Sequence, residues 1–111
     1  MLVSTPHQAA VAAPAHLLAF ASEYRIGTSR AKAPAGVLIA QLQNNGQDDH
    51  DLAVRTSAGR IVATTKVVHH GGLGQLRVRL KPGRYQLVCT LGGHEALGMR
   101  ALLVVRARRA A

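Results

Sequence analysis

Residues 75–80 read QLRVRL and alternate polar with apolar side chains without a break. A period of two sends successive side chains to opposite faces, which is the pattern of a half-buried β-strand. The apolar members of this run are expected to face a core, and Arg77 and Arg79 to face solvent. No segment of the chain keeps the 3.6-residue apolar period of a helix over a useful length. The chain is therefore predicted to be all-β.

Other strand-like segments recur along the chain and are separated by turn signals. Asn44-Asn45-Gly46 and Pro82-Gly83 are such signals, because Asn and Gly tolerate positive φ and Pro presets the first turn position. Residues 27–36 are rich in Gly, Ser, Ala and Pro and are predicted to form a loop. About seven to eight short strands, separated by frequent turns, predict a Greek-key β-sandwich or barrel. The expected strands, besides 75–80, are 16–22, 24–26, 37–43, 51–55, 60–68 (one or two strands), 85–89 and 100–106.

The length of 111 residues fits one domain. We expect a flexible N-terminal tail over 1–15, the domain over 16–106 and a basic C-terminal tail over 107–111. With no Trp, one Phe and two Tyr, the core must be built mainly from Val, Leu and Ile. No run of 18 apolar residues is present, so the sequence predicts no membrane-spanning helix.

The formal net charge of +9 comes from 14 basic and 5 acidic side chains. This balance favours acidic protein partners, anionic membrane surfaces or nucleic acid, without choosing among them. Most basic residues are scattered through the strand patterns, and aromatic side chains that could stack on bases are nearly absent. We therefore do not expect specific nucleic-acid binding.

One short loop brings together the donor types of a soft metal site. Residues 89–99 read CTLGGHEALGM and hold the only cysteine, Cys89, followed by His94 and Met99. A thiolate, an imidazole and a thioether favour copper, and two histidines, one cysteine and a long axial methionine describe a copper site that transfers electrons. A second histidine is needed. His50, which follows the Asn-Asn-Gly turn at the start of a predicted strand, is the best candidate.

A lone cysteine leaves other readings open. It excludes an internal disulfide and any four-cysteine zinc module, but it is compatible with a buried structural thiol, a catalytic nucleophile or a metal ligand. A nucleophile would use His94 or His50 as its base, yet nothing supplies an evident oxyanion hole, so we expect no enzyme. Two further alternatives are a copper carrier or storage protein without an electron-shuttle role and a metal-free sandwich that binds acidic partners.

The pattern as a whole resembles the cupredoxins, the type 1 (blue) copper proteins that include plastocyanin, azurin, auracyanin and rusticyanin. The resemblance extends from about residue 17 to 105. It rests on EYRI at 23–26, AG at 35–36, NxG at 44–46 before His50, PGxYxLxC at 82–89, and GH at 93–94 with GM at 98–99. Four residues separate Cys89 from His94 and four separate His94 from Met99. This spacing is closer to auracyanin and rusticyanin than to plastocyanin.

The resemblance implies a role for each matching residue. The metal ligands would be His50, Cys89, His94 and Met99, around one copper ion that cycles between Cu(I) and Cu(II). Around them, the backbone N–H groups of Asp51 and Leu91 would point at the thiolate. We also expect the Asp51 carboxylate to accept a hydrogen bond from the Thr90 hydroxyl.

The resemblance also implies a route for electrons and a setting. His94 would be the electron port, within an apolar patch formed by Leu91, Ala96, Leu97 and Leu73. Its partners would be redox proteins, acidic ones in view of the net charge, either free or in a membrane-associated electron-transfer complex. We expect a monomeric protein exported to the periplasm or outside the cell.

Four further histidines are expected to stay outside this site. His69 and His70 lie side by side in a Gly-rich loop, where a second metal site is conceivable but solvated side chains are expected. His7 and His16 are expected on the surface, and Tyr85 in the core.

Overall fold

The computed structural model describes residues 12–108 and is a sandwich of two β-sheets. Among these residues no helix is long and apolar enough to cross a membrane. The all-β prediction is confirmed. The described residues form nine strands: β1 (Ala15–Ser22), β2 (Arg25–Thr28), β3 (Lys32–Pro34), β4 (Gly36–Asn44), β5 (Ala53–Thr56), β6 (Ile61–Thr64), β7 (Leu73–Leu80), β8 (Gly83–Val88) and β9 (Arg100–Arg106).

Both sheets mix parallel and antiparallel pairs. The first has the order β2-β1-β4-β7, with β1 parallel to β4 and the other neighbours antiparallel. The second has the order β3-β9-β8-β5-β6, with β3 parallel to β9. β1 and β2 form a hairpin, and β4 returns to pair with the other edge of β1. This topology brings segments that are distant in sequence side by side.

Alternation along the strands decides which side chains form the core. In β7, Leu76 and Leu80 are buried while Arg77 and Arg79 are exposed, as the pattern predicts. Tyr85 is also buried, as expected, and its hydroxyl donates to the Lys81 carbonyl oxygen at 2.8 Å. The core is mainly aliphatic, and its largest fully buried leucines are Leu17, Leu38, Leu42, Leu52, Leu87 and Leu103.

The structure corrects the prediction for residues 27–36. Gly27 and Thr28 extend β2, and Lys32–Pro34 forms the short β3, so only part of this segment is a loop. β3 pairs with the end of β9, more than seventy positions away, through Lys32↔Val104 and Pro34↔Arg106. β3 is a strand because it pairs with β9, and its own composition gives no sign of this. The predicted number of seven to eight strands is therefore too low.

Other boundaries also differ by a few residues, since β5 begins at Ala53 where 51 was predicted and β8 begins at Gly83 where 85 was predicted. Within 60–68 the only strand is β6, and the segment continues to a single bridge between Val68 and His50. β1 begins at Ala15, inside the expected N-terminal tail. The rest of that tail up to residue 11, and residues 109–111 of the C-terminal tail, lie outside the described residues.

One end of the sandwich collects the segments that hold the candidate site. β1 and β4 end there, β8 leads into Cys89, and β9 begins just after Met99. The turn between β1 and β2 and the connection that contains His50 lie at the same end. We call this end the Cys89 pole.

Candidate metal centre

Three side chains from two distant segments converge at the Cys89 pole. The donor atoms of His50, Cys89 and His94 all lie within 4.8 Å of one another. The Cys89 sulfur is 3.9 Å from Nδ1 of His50 and 3.6 Å from Nδ1 of His94. Bonds of about 2.0–2.3 Å from one metal ion to nitrogen and sulfur place neighbouring donors at about this separation. The three residues therefore fit a single ion.

The cysteine sits in an apolar environment. Cys89 is fully buried, and burial raises the pKa of its thiol. The backbone N–H groups of Asp51 and Leu91, which were expected from the sequence to point at the sulfur, act in the opposite direction and lower that pKa. Donors of this kind stabilise a sulfur that carries negative charge, as a coordinated thiolate does.

His50 is fixed from both sides. Its side chain is 0% exposed, and its backbone exchanges hydrogen bonds with Val68 at 3.0 and 2.7 Å. Nε2 lies 2.7 Å from Oε2 of Glu23, at the turn between β1 and β2. This contact lowers the pKa of the Glu23 carboxyl. A carboxylate can only accept a hydrogen bond, so Nε2–H is the donor. In the neutral imidazole this arrangement leaves the lone pair of Nδ1 toward Cys89, which is the tautomer that a metal ligand requires.

The turn that precedes His50 is built around a buried amide. Asn44 is fully buried and donates through Nδ2 to the carbonyl oxygens of Asp48 and Val68, both at 2.8 Å. Its Oδ1 accepts from the N–H of Gly46 at 2.8 Å. A Cβ at Gly46 would overlap the Glu23 carboxylate and come within 3.0 Å of Nε2 of His50. Only glycine at this position leaves room for the Glu23–His50 contact.

The segment from Cys89 to Met99 is a compact succession of turns. Its two ends are joined by a hydrogen bond from the Cys89 N–H to the Met99 carbonyl oxygen at 3.2 Å, and the Met99 N–H donates to the His94 carbonyl oxygen at 3.2 Å. Gly98 adopts φ of +123°, and a Cβ there would lie 3.1 Å from the Tyr24 carbonyl oxygen. Met99 is fully buried beneath the loop.

A carboxylate ties the two segments of the site together. Asp51, next to His50, accepts from the Thr90 N–H through Oδ1 at 2.6 Å and from the Thr90 hydroxyl through Oδ2. The hydroxyl contact is the one expected from the sequence. Because Thr90 follows Cys89 directly, this double contact fixes the separation between the His50 and Cys89 backbones.

A second carboxylate attaches the loop to the sheet. Arg55 on β5 donates to both oxygens of Glu95, at 2.9 and 2.5 Å. The pairing lowers the pKa of Glu95 and raises that of Arg55. Both side chains are partly exposed, so we expect the pair to position the loop more than to stabilise the fold.

The His94 ring reaches the surface. Its side chain is 15% exposed, and Nε2 lies 3.8 Å from Oδ2 of Asp48. The Tyr24 ring packs on it with a centroid separation of 5.0 Å, and the Tyr24 hydroxyl donates to Asp48 at 2.8 Å, which raises the pKa of Tyr24.

The apolar residues expected around His94 differ in exposure. Leu97 is 61% exposed and Leu73 is 74% exposed, both unusually high for leucine. Ala96 is also exposed, whereas Leu91 is half-buried and packs against the core.

The remaining histidines form no second cluster within residues 12–108. Nδ1 of His69 is 2.8 Å from the Asp49 carboxylate, and Nδ1 of His70 is 2.5 Å from the Gly46 carbonyl oxygen. Both side chains are exposed, and so is His16. His7 lies outside the described residues.

Sequence reasoning missed two carboxylates that support the histidines from outside. Glu23 and Asp48 each contact the site from a turn, Glu23 at His50 and Asp48 at His94, and no local spacing relates either of them to the histidine it contacts. The signal that could have found them was scarcity, because the chain contains only 5 acidic residues. An acidic residue in so basic a chain is a candidate for a specific contact.

Comparison with known proteins finds similar structures but no similar sequences. No protein-family model matches the chain, and no curated protein matches it. Many solved structures match the chain, and three auracyanin structures are among those that align over most of its length.

Auracyanin A, a "blue" copper protein from the green thermophilic photosynthetic bacterium Chloroflexus aurantiacus, has a TM-score of 0.70 and 17% identity over 85% of this chain and 100% of its own. Auracyanin B has a TM-score of 0.70 and 20% identity over 84% of this chain and 88% of its own. Dithionite-reduced auracyanin from the photosynthetic bacterium Roseiflexus castenholzii has a TM-score of 0.66 and 17% identity over 86% and 98%. The chain therefore has the cupredoxin β-sandwich fold of the auracyanins, as the resemblance in its sequence implied.

Proposed function

We propose that this protein is a mononuclear type 1 copper protein that carries single electrons between redox partners. The observation that supports this most strongly is the convergence of one buried thiol and two Nδ1 atoms within 4.8 Å on a cupredoxin fold. A cysteine with two histidines is the equatorial donor set of such sites. The similarity to auracyanin A, a "blue" copper protein, adds weight to the choice of metal.

The residues that would hold the copper ion in this proposal are His50, Cys89, His94 and Met99, with the Met99 thioether as the weakest donor. Copper bound there supplies a one-electron couple between Cu(I) and Cu(II). The contribution of the protein is to hold the donors in nearly the same positions for both ions, so that little reorganisation accompanies a change in charge. The buried backbone of His50 and the Asp51–Thr90 contact serve this purpose.

The supporting residues have separate tasks. Glu23 holds the proton of His50 on Nε2 and so keeps Nδ1 available to the metal. The N–H groups of Asp51 and Leu91 stabilise the charge on the sulfur of Cys89. Donors to a coordinated thiolate tune the reduction potential of the metal.

The electron route in this proposal runs through the exposed edge of His94. Leu91, Ala96, Leu97 and Leu73 form the apolar surface on which a redox protein docks. Electron-transfer contacts are small and short-lived, which suits a patch with two highly exposed leucines. We also propose that the protein acts as an exported monomer, in the periplasm or outside the cell, and that it is a carrier without catalytic activity of its own.

The experiment that tests the function is voltammetry of the copper-loaded protein together with a measurement of its electron self-exchange rate. A reversible one-electron couple and rapid self-exchange are expected. Tight Cu(I) binding with slow, irreversible oxidation would contradict an electron carrier and would instead indicate a copper carrier or storage protein. Truncating the patch with Leu97→Ser should slow exchange with a partner and leave the visible spectrum unchanged.

A further inference from the structure

The acidic side chains of this protein lie at one end of the sandwich, and a group of exposed basic side chains lies at the other. All 5 acidic residues of the sequence lie at the Cys89 pole. Each is placed there by a contact already described: Glu23 with His50, Asp48 with Tyr24, Asp49 with His69, Asp51 with Thr90, and Glu95 with Arg55. Every side-chain carboxylate thus lies at the candidate metal centre or close to it.

The other end of the sandwich is lined by cations. It contains the start of β4, the end of β7 and the end of β9, and its basic side chains surround two shallow depressions that share Arg108. We define the basic pole by these residues: Arg30, Lys32, Arg77, Arg79, Arg106 and Arg108. All six are exposed.

The charge of the basic pole is not compensated within residues 12–108. None of its six side chains forms an ion pair there. Arg30 and Arg108 donate to backbone oxygens, among them those of Lys32 and Ala35, which fixes their positions and leaves the charge in place. Exposed like charges repel one another unless an external anion lies across them.

The chemistry of this surface fits lipid phosphates better than a folded protein or nucleic acid. Among the described residues, none of the large exposed apolar side chains lines either depression, whereas a specific protein interface has an apolar core. Within residues 12–108 no aromatic side chain lines them either, so this part of the chain offers no stacking platform for bases there. The apolar part of the lining consists of Ala, Pro and Val37, so the charged side chains dominate, and such a surface is suited to the diffuse negative potential of an anionic bilayer.

We propose that the basic pole docks on membranes that contain anionic lipids, with the Cys89 pole directed away from the bilayer. β4 spans the molecule from Gly36 at the basic pole to Asn44 beside the candidate site. At about 3.3 Å per residue, this holds the His94 edge roughly 30 Å from the headgroups. The docked protein is confined to the membrane surface, and the exposed edge of His94 stays accessible to other proteins. This inference uses only charge and position and does not rest on the proposed copper chemistry.

The test is sedimentation of the protein with vesicles at low ionic strength. Phosphatidylcholine vesicles are compared with vesicles of phosphatidylcholine mixed with phosphatidylglycerol. The pole variant is Arg79→Glu with Arg106→Glu. The matched control is Arg25→Glu with Lys66→Glu, which causes the same change in net charge at two exposed residues outside the basic pole. Circular dichroism verifies that both variants fold.

Wild type and control are expected to sediment with the phosphatidylglycerol vesicles and not with phosphatidylcholine alone. The binding of the pole variant should be weaker by about 25-fold or more, since each of the two replaced basic residues contributes about a factor of five near such a surface. Salt at about 150 mM should weaken the binding of all three proteins to the vesicles.

Three results would overturn the proposal. The first is equal loss in the pole variant and the control, which would mean that net charge alone matters. The second is tighter, pole-dependent binding to duplex DNA than to the vesicles, which would assign the surface to nucleic acid. The third is displacement by inorganic phosphate beyond that caused by chloride at equal ionic strength, which would indicate a site for a free anion.

Discussion

The two histidines of the candidate site approach the same sulfur from segments that are built differently. His50 is wholly buried, pairs its backbone with Val68 and is backed by Glu23. His94 belongs to a chain of turns, keeps 15% of its side chain exposed and has the Tyr24 ring beside it. One ligand is held by the interior of the protein, and the other lies at its boundary.

This difference separates two requirements that a redox site must meet. The ligand geometry must resist change, and a partner must come close to the metal. The His50 side supplies rigidity through contacts that cross from β1 and β4, and the His94 side supplies access. We therefore expect loss of the His50 side chain to impair metal binding permanently. Loss of the His94 side chain should be compensated by a small ligand that enters from solvent.

The largest expected contrast is between His50→Gly and His94→Gly. Each change removes an imidazole ligand, so both should abolish the visible absorption of the copper-loaded protein. Added imidazole should restore the band in His94→Gly, because the vacated space opens to solvent. It should fail in His50→Gly, whose cavity is closed. Titration with imidazole, followed by absorption, measures both, and equal rescue of the two variants would contradict the asymmetry.

A smaller effect is expected when the support of His50 is weakened. Glu23→Gln keeps the size of the side chain but removes the charge that holds the Nε2 proton. Loss of such an outer partner commonly costs about 10- to 100-fold in metal affinity. A competition titration with a Cu(II) chelator should show this loss.

The control for Glu23 is Asp49→Asn, which removes a carboxylate at the same pole. Within residues 12–108, the only ion pair of Asp49 is with the exposed His69. The affinity of this variant should match wild type. If both variants lost affinity equally, the general negative charge of the pole, and not the Glu23 contact, would be responsible.

Gly46→Ala tests the same support without touching a charge. The added methyl group would occupy the position of the Glu23 carboxylate and displace this flexible side chain from His50. We expect a loss of affinity in the same direction as in Glu23→Gln, with little change in the unfolding midpoint of the metal-free protein. Combining both changes should cost hardly more than either alone, and additive losses would argue against a shared cause.

The smallest effect concerns the ion pair that attaches the loop. The pKa of Glu95 is lower in the folded protein than its ordinary value of 4.5, so the pair stabilises the fold above that pH and is lost as pH falls through the lower value. Glu95→Gln should lower the unfolding free energy of the metal-free protein by less than about 1 kcal/mol at neutral pH. The difference should vanish in acid. Urea unfolding at pH 7 and well below pH 4.5 measures it, and a constant difference would show that the pair is not its source.

The parts of the fold that the sequence predicts are those with a local pattern. The alternation in β7 places Leu76 and Leu80 in the core and both arginines outside. β3 has no such pattern, because Lys32–Pro34 becomes a strand only through its pairing with β9. Long-range pairing of a short segment leaves no trace in its own composition.

The residues of the candidate site also divide into those that a local pattern predicts and those that it does not. Cys89, His94 and Met99 lie within eleven residues, and the donor types alone suggest a metal. His50 could be proposed because it follows a turn signal, and the structure places its Nδ1 3.9 Å from the sulfur. Glu23 could not be assigned, since its contact with His50 depends on how the turn after β1 meets the connection after β4.

The central claim is that Cys89 and the two histidines bind one copper ion together, and absorption spectroscopy after addition of Cu(II) to the metal-free protein tests it most directly. We expect an intense visible band from the thiolate-to-copper transition that saturates at one equivalent and is absent in Cys89→Ser. A colourless wild type that remains folded, or a spectrum shared by wild type and Cys89→Ser, would contradict the claim.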